Sequence, residues 1–292
     1  MKKLQLLVLL LLTSTGLFAL PIGNPSEASL YTNGAFATGA FYNPCDPSLC
    51  WIDYWSARLG FYGDYVSNRH LQVHTSQDGL QGGDAVQTTQ IATNAGYLAL
   101  NIWDLIDIFG TLGTSTLHIQ ANSSNWNDIL GAGSLLTFKT YFSWSAGARL
   151  TLWQCGPFGL GAEGQFFQTN TKIGSYFESS SGEITYFVDD NEAVYRDWQA
   201  GIGAIWRFSF YDCAALIPYI GVKWGWAHLS MNHLSFTTTG AIGPLTLNNL
   251  EAQKLWGYAV GMTFTLGKMI GVTAEGRFGD EKALYINGQF RF

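Results

Sequence analysis

The sequence predicts an all-β chain closed into a transmembrane antiparallel β-barrel with an even number of strands. Three observations carry that expectation. Long windows alternate large apolar with small or polar residues; beyond the N-terminus no run of about 18 apolar residues could form a membrane-crossing helix; and the chain ends in an alternating strand, Leu284 to Phe292, closed by phenylalanine. The composition agrees. The chain is 47% hydrophobic and 15% aromatic but only 12% charged, whereas soluble domains carry roughly 25% charged residues. A chain this apolar without a spanning helix hides its surface by alternation, as barrel strands do.

The N-terminus reads as an export signal. Lys2 and Lys3 form a basic start, Leu4 to Leu12 an apolar stretch, and Thr13 to Gly16 a weakly polar one before Leu17-Phe18-Ala19. Cleavage is expected after Ala19, leaving residues 1–19 as the signal peptide and 20–292 as the barrel, with 20–52 a cysteine-containing N-terminal segment and first strand. Without Lys2 and Lys3 the 15 basic residues fall to 13 against 21 acidic ones, a net charge of −8 that argues against a nucleic-acid partner. Export also places Cys45, Cys50, Cys155 and Cys213 where disulfides form, structural or intermolecular. Their spacing matches no zinc pattern, and no metal or cofactor is expected.

The alternation gives the faces. In Lys254–Leu266, Trp256, Tyr258, Val260, Met262, Phe264 and Leu266 oppose Leu255, Gly257, Ala259, Gly261, Thr263 and Thr265. The same asymmetry recurs around Trp198–Phe208, Phe142–Leu152, Leu216–Trp226 and Trp55–Tyr65. A soluble sandwich also alternates, but its polar face is rich in Lys, Glu and Thr. Here that face is Gly, Ala, Ser and single charges, while aromatics mark both ends of the apolar faces as in a lipid-interface girdle. Ten windows are clear: 54–66, 89–101, 106–118, 138–152, 157–168, 196–209, 214–228, 253–266, 269–279 and 284–292. Tyr31–Phe41, Leu71–His74, Gly182–Val188 and Leu234–Thr239 could add more, setting the expectation at about 12–16 strands with ten as the floor. Short turns near Trp103–Ile106, Gln154–Pro157, Ser209–Cys213 and Gly267–Met269 read as periplasmic. The longer stretches Val73–Thr88, Gln120–Gly133, Thr169–Arg196 and Ser230–Ala252 read as outer loops.

If the apolar faces meet lipid, the opposite faces line a lumen. That assigns Arg58, Arg149, Arg207, Lys223, Arg277 and Arg291 inward, with Asp64, Glu163, Asp197 and Glu275. Isolated charges there suit a wet channel, since lipid exposure costs about 2–4 kcal/mol per midplane Arg or Lys; cross-lumen salt bridges that brace or plug the barrel are the other role. These basic residues outnumber the acidic ones, so weak anion preference is expected. The expected function is passive diffusion of small hydrophilic solutes through a water-filled pore, with no catalytic residues. His70, His74, His118, His228 and His233 fall in no nucleophile or metal motif, and glycine pairs such as Gly201 and Gly203 read as small lumen-facing residues rather than a phosphate loop. A structural envelope barrel and a surface adhesin or antigen are the alternatives.

The sequence blocks resemble the chlamydial major outer membrane porin family. The resemblance runs through Leu20–Leu30 (LPIGNPSEASL), Asn43–Asp53 (NPCDPSLCWID), Arg58–Val66 (RLGFYGDYV), Ala99–Asp104 (ALNIWD) and Phe109–Gly113 (FGTLG). It continues through Phe142–Gly156 (FSWSAGARLTLWQCG), Asp197–Gly203 (DWQAGIG), Ile217–Trp224 (IPYIGVKW) and Ile286–Phe292 (INGQFRF). Ser48 and Pro157 stand where the family usually has cysteines, and the chain is shorter, the missing length falling in the outer loops. The resemblance implies a bacterial outer-membrane porin embedded in outer-membrane lipid. It further implies a homotrimer and disulfide links to other envelope proteins, while the alternating last strand ending in Phe292 itself resembles the signal read by the barrel-assembly machinery.

Overall fold

The computed structural model describes residues 20–30, 55–73, 86–121, 133–177, 184–186, 192–210, 214–231, 234–238, 241–245, 249–267 and 269–291. Ten long strands form its frame. They are β1 (Trp55–Arg69), β2 (Val86–Ile102), β3 (Ile106–Ala121), β4 (Tyr141–Cys155) and β5 (Phe158–Phe177). The second half comprises β6 (Glu192–Trp206), β7 (Ala214–Met231), β8 (Trp256–Leu266), β9 (Ile270–Phe278) and β10 (Glu281–Arg291). Each pairs antiparallel with the next along the chain. Closure comes from β1 against β10, where Arg58 lies opposite Arg291 and Arg69 opposite Glu281. Closing the ring satisfies every edge that would otherwise present unpaired backbone groups to lipid.

The ten clear sequence windows are these ten staves, and among the described residues the ring has ten strands, below the expected 12–16 and equal to the ten also allowed. The extra windows that fall on described residues lie above the ring. Leu71–Val73 continues β1 and pairs with Leu250–Ala252, which pairs with β7. Ile184–Tyr186 adds to the end of β5, and Leu234–Thr238 forms a separate hairpin with Ala241–Leu245. Local alternation marks these pieces as extended; it cannot say whether a piece pairs within the ring or beyond it. Tyr31–Phe41 lies outside the described residues, as do residues 1–19, expected to be a signal peptide, and the rest of residues 31–54.

Pleating sends alternate side chains outward and inward. Leu59, Leu98, Ile108, Leu112, Ile202, Ile220 and Val260 point out, with Leu112 67% and Ile202 64% exposed. Aromatics edge this band at two levels. Phe166 and Trp198 meet with ring centroids 4.3 Å apart, and Trp224 meets Trp256. At the other level Phe158 and Trp206 pair at 4.3 Å, with Phe208 stacked on Trp206. Trp198 and Trp206 are eight residues apart on β6, which at about 3.3 Å per residue and a 35–45° tilt separates the levels by roughly 20 Å, close to the apolar band of an outer-membrane barrel. Among the described residues no helix is long and apolar enough to cross a membrane.

The connections fall in two sets. β2–β3, β4–β5, β6–β7 and β8–β9 turn at one rim; the long connections lie at the other, together with the short Gly279–Asp280 turn between β9 and β10. At the short-turn rim Trp103 and Asp104 both adopt positive φ (58° and 51°), a tight hairpin turn closed by Leu105 N–H donating to Ile102 O at 3.2 Å. Asn101 Oδ1 holds the Asp104 N–H at 3.2 Å, which steadies the left-handed pair.

Candidate functional site: the barrel lumen

The interior has two zones. Towards the long-loop rim it is apolar: Val66, Leu71, Val73, Ile91, Leu117, Ile119, Leu136, Phe138, Phe167, Ile173, Leu229 and Met231 form one buried cluster. Towards the middle and the short-turn rim it carries charges set among two smaller apolar clusters, Tyr62, Ala95, Tyr97, Ala99, Phe109 and Tyr285, and Ile205, Ala215, Ile217 and Tyr219. Nine of the ten residues assigned inward from sequence are buried there: Arg58, Asp64, Arg149, Glu163, Asp197, Lys223, Glu275, Arg277 and Arg291. Arg207 lies just past the end of β6 at the short-turn rim and is half-buried, its backbone N–H donating to Pro157 O at 2.8 Å.

The charges form two linked groups. Nearer the short-turn rim, Arg149 Nε donates to Glu163 Oε2 at 2.5 Å and its Nη1 reaches Glu27. Arg58 pairs with Asp107 and, at 3.6 Å, with Glu27; Arg291 bonds Asp104 at 3.2 Å. Arg149 also sits over the Phe109 ring, 4.4 Å from its centroid, and donates to the Tyr97 hydroxyl. Higher up, Arg277 bonds Asp64 and Glu281, each at 2.5 Å, and Lys223 bonds Glu281 at 2.5 Å and Asp280 at 3.3 Å. Arg69 joins Asp280 at 3.0 Å and Asp197 at 3.7 Å. Buried charges persist only when paired, and each of these has an ion-pair partner, while several of their atoms, among them Arg69 Nη2, Arg291 Nη1 and Asp280 Oδ1, make no hydrogen bond among the described residues. Outside the spanning strands, burial pushes the Asp104 carboxyl above its ordinary range against the pull of Arg291, and burial holds the His70 imidazole below its ordinary value.

The sequence reading missed Glu27, Arg69, Asp104, Asp107, Asp280 and Glu281. Strict alternation extended to the strand ends finds Asp107 and Glu281. Arg69 needs more: the register of β1 shifts between Val66 and Asn68, so the inward set changes from even to odd positions and carries Arg69, Leu71 and Val73 inside.

Space between these groups is taken by the chain's own N-terminal segment. Residues 20–28 are all buried and run through the lumen to one helical turn, α1 (Glu27–Leu30). Strand side chains satisfy its backbone. Leu20 N–H donates to Gln199 Oε1 at 2.5 Å, Gln199 Nε2 donates to Pro21 O, and Ile22 N–H donates to Glu275 Oε1 at 3.2 Å. Lys223 Nζ donates to Leu20 O, and Asn101 Nδ2 to Ala28 O at 3.0 Å. The floor is glycine because nothing larger fits. A Cβ on Gly161 would stand 1.8 Å from Pro25 O, and one on Gly221 would stand 2.8 Å from Ile22 Cδ1.

Elsewhere, an open cleft of about 430 Å³ at the short-turn rim is lined by Leu105, Thr151, Leu152, Trp153, Gln154 and Gly156, none of them charged. Cys155 is exposed at the same rim and is unpaired among the described residues; Cys45, Cys50 and Cys213 lie outside them. Among the described residues no group of His, Cys, Asp or Glu is arranged to hold a metal ion.

A closed antiparallel ring with an apolar, aromatic-edged outer face and a charged interior defines a transmembrane β-barrel. A family model described as Chlamydia major outer membrane protein matches residues 1–83, 78–135 and 131–185. The chain belongs to that family, and its place is the outer membrane. It is 30% identical to the major outer membrane porin, serovar C, of Chlamydia trachomatis, with all of both chains covered, and 32% identical to that of Chlamydia psittaci, with 96% of each covered. The first alignment spans 402 positions against 292 residues here, so at least 110 positions have no counterpart in this chain. Among solved structures, it aligns with the translocator domain of autotransporter NalP from Neisseria meningitidis at TM-score 0.38 and 13% identity, covering 82% of this chain and 88% of that one. The outer membrane protease OmpT from Escherichia coli aligns at 0.37 and 12%, covering 81% and 93%.

Proposed function

We propose that this outer-membrane porin passes small hydrophilic solutes by passive diffusion along the charged inner face of the ring. One observation carries the reading: the inner face of the ring carries the charged side chains Arg58, Asp64, Arg149, Glu163, Lys223, Glu275 and Arg277 set among small and tyrosine side chains, while the outer face is apolar. No covalent step is involved. The residues would act by replacing parts of a solute's hydration shell as it moves. The conformation described is a closed one, with residues 20–28 in the lumen and the apolar cluster beneath the long-loop rim. A hydrophobic constriction of that kind gates by wetting and dewetting.

The described lumen alters the selectivity argument. The sequence count of six basic against four acidic residues favoured anions. The buried charges comprise nine carboxylates, with Glu27, Asp104, Asp107, Asp280 and Glu281 added, against six cations, with Arg69 added and Arg207 at the rim. We therefore replace weak anion preference with weak cation preference. Reversal potentials of the refolded protein in a salt gradient test this, and clear anion selectivity would overturn it.

The occupied lumen also favours a second reading, a mainly structural barrel braced by its salt bridges. Planar-bilayer recordings that show no conductance under any voltage or salt would support that reading against diffusion.

A further inference from the structure

We propose that residues 20–28 are a removable lumen plug, held in a seat specific for an extended segment with a terminal carboxylate latch at Glu27. The seat is built by the barrel. Gln199 contacts both the Leu20 amide and the Pro21 carbonyl, Glu275 takes the Ile22 amide, and Asn101 takes the Ala28 carbonyl. The latch has the shape of ligand recognition: the Glu27 carboxylate lies between Arg149 and Arg58 and also accepts from Gln289 Nε2. Every one of these contacts is non-covalent, and each is made by a strand side chain rather than by a ladder bond. The segment is therefore bound as a peptide is bound.

The chain can also let it go. Twenty-four residues, 31–54, separate the segment from the start of β1. At up to about 3.3–3.6 Å each they could extend roughly 80 Å, several times the height of the lipid band. The glycines beneath the segment complete the case. Gly161 closes against Pro25 and Gly203 against both Ile220 O and Pro25 Cγ, so the strands are relieved of side chains where the segment lies.

Two preparations test the seat: the chain from Leu20 to Phe292, and the same chain lacking residues 20–28. Both are refolded in detergent, with folding checked by far-ultraviolet circular dichroism and heat-modifiable gel mobility. The probe is a synthetic peptide of residues 20–28, LPIGNPSEA. The shortened barrel should bind it and the complete chain should not, because its seat is filled; a peptide carrying Glu27→Gln should bind at least tenfold more weakly. A folded shortened barrel that ignores the peptide, or a complete chain that binds it equally, overturns the proposal. Should the shortened barrel fail to fold, Gly161→Ala in the complete chain gives the answer. The new methyl lifts Pro25, and a glutamate-specific protease should then cut at Glu27, which is protected in the parent. Equal protection in both overturns the plug. Peptide binding is read without current, so loss of conductance and loss of the seat are separate results.

Discussion

Arg149→Met removes a cation that touches both Glu27 and Glu163 while keeping most of the side-chain volume. Arg149 is 1% exposed, and both carboxylates are buried too, at 2% for Glu27 and 4% for Glu163. Taking one partner from a buried ion pair costs about 3–5 kcal/mol, because the remaining charge is left desolvated. Some compensation remains here: Arg58 and Gln289 still reach Glu27, and Gln199 Nε2 still donates to Glu163 Oε1 at 2.8 Å. The expected loss is therefore about 3 kcal/mol, the lower end of that range. Urea unfolding of the protein refolded into lipid vesicles, followed by tryptophan fluorescence, reads it directly. The double variant Arg149→Met with Glu163→Leu separates pairing from packing, since removing both charges should recover more than 1 kcal/mol or so of the loss. A single variant that loses less than about 1 kcal/mol would refute the claim that this pair is desolvated.

Three other outcomes follow from the same geometry. Ile202 lies midway between the two aromatic levels on β6 and is 64% exposed, so Ile202→Arg should cost about 2–4 kcal/mol in vesicles, against about 0–1 for Trp206→Arg at the edge of the band. Equal costs would mean that the band is placed wrongly. Gly221→Val, beneath Ile22, should release residues 20–28 to protease as Gly161→Ala does, whereas Gly288→Ala, with no atom within 4 Å of its Cβ position, should leave them protected. Neutralising Glu275 and Glu281 together should shift the reversal potential towards anions, and no shift would place the permeation path elsewhere.

The ring was legible because its signal is local. Lipid on one side and a polar interior on the other impose period two on each strand, so Trp256 to Leu266 or Trp198 to Phe208 reveal their faces without knowledge of any neighbour. The ten windows found this way are the ten staves, and nine of the ten charges assigned inward on them are buried within the ring. The strand total was overestimated because pieces such as Leu71–Val73 and Leu234–Thr238 carry the same local pattern yet pair beyond the ring. Arg69 escaped because one irregularity in β1 reverses the parity of everything after it. The N-terminal segment escaped for a different reason. LPIGNPSEA has two prolines, a glycine and no period to give it a face, and its seat is composed of residues as distant as Asn101, Gln199, Glu275 and Gln289, the last 262 positions from Glu27. The trace it leaves in the sequence is the inward glycines of β5, β6 and β7, which mark a close approach without naming what approaches.

The central claim is that the ring stands in lipid with its apolar face outward and a filled, charged lumen within. Solid-state NMR of the protein in bilayers, following magnetisation transfer from lipid acyl chains and from water along β2, tests both halves in one experiment. Leu98 and Leu100 should receive magnetisation from lipid, whereas Thr93, Tyr97 and Asn101, each no more than 3% exposed, should receive it from neither acyl chains nor bulk water. Strong water transfer to Tyr97 and Asn101 would contradict the seated plug, and lipid transfer to both faces or to neither would contradict the barrel itself.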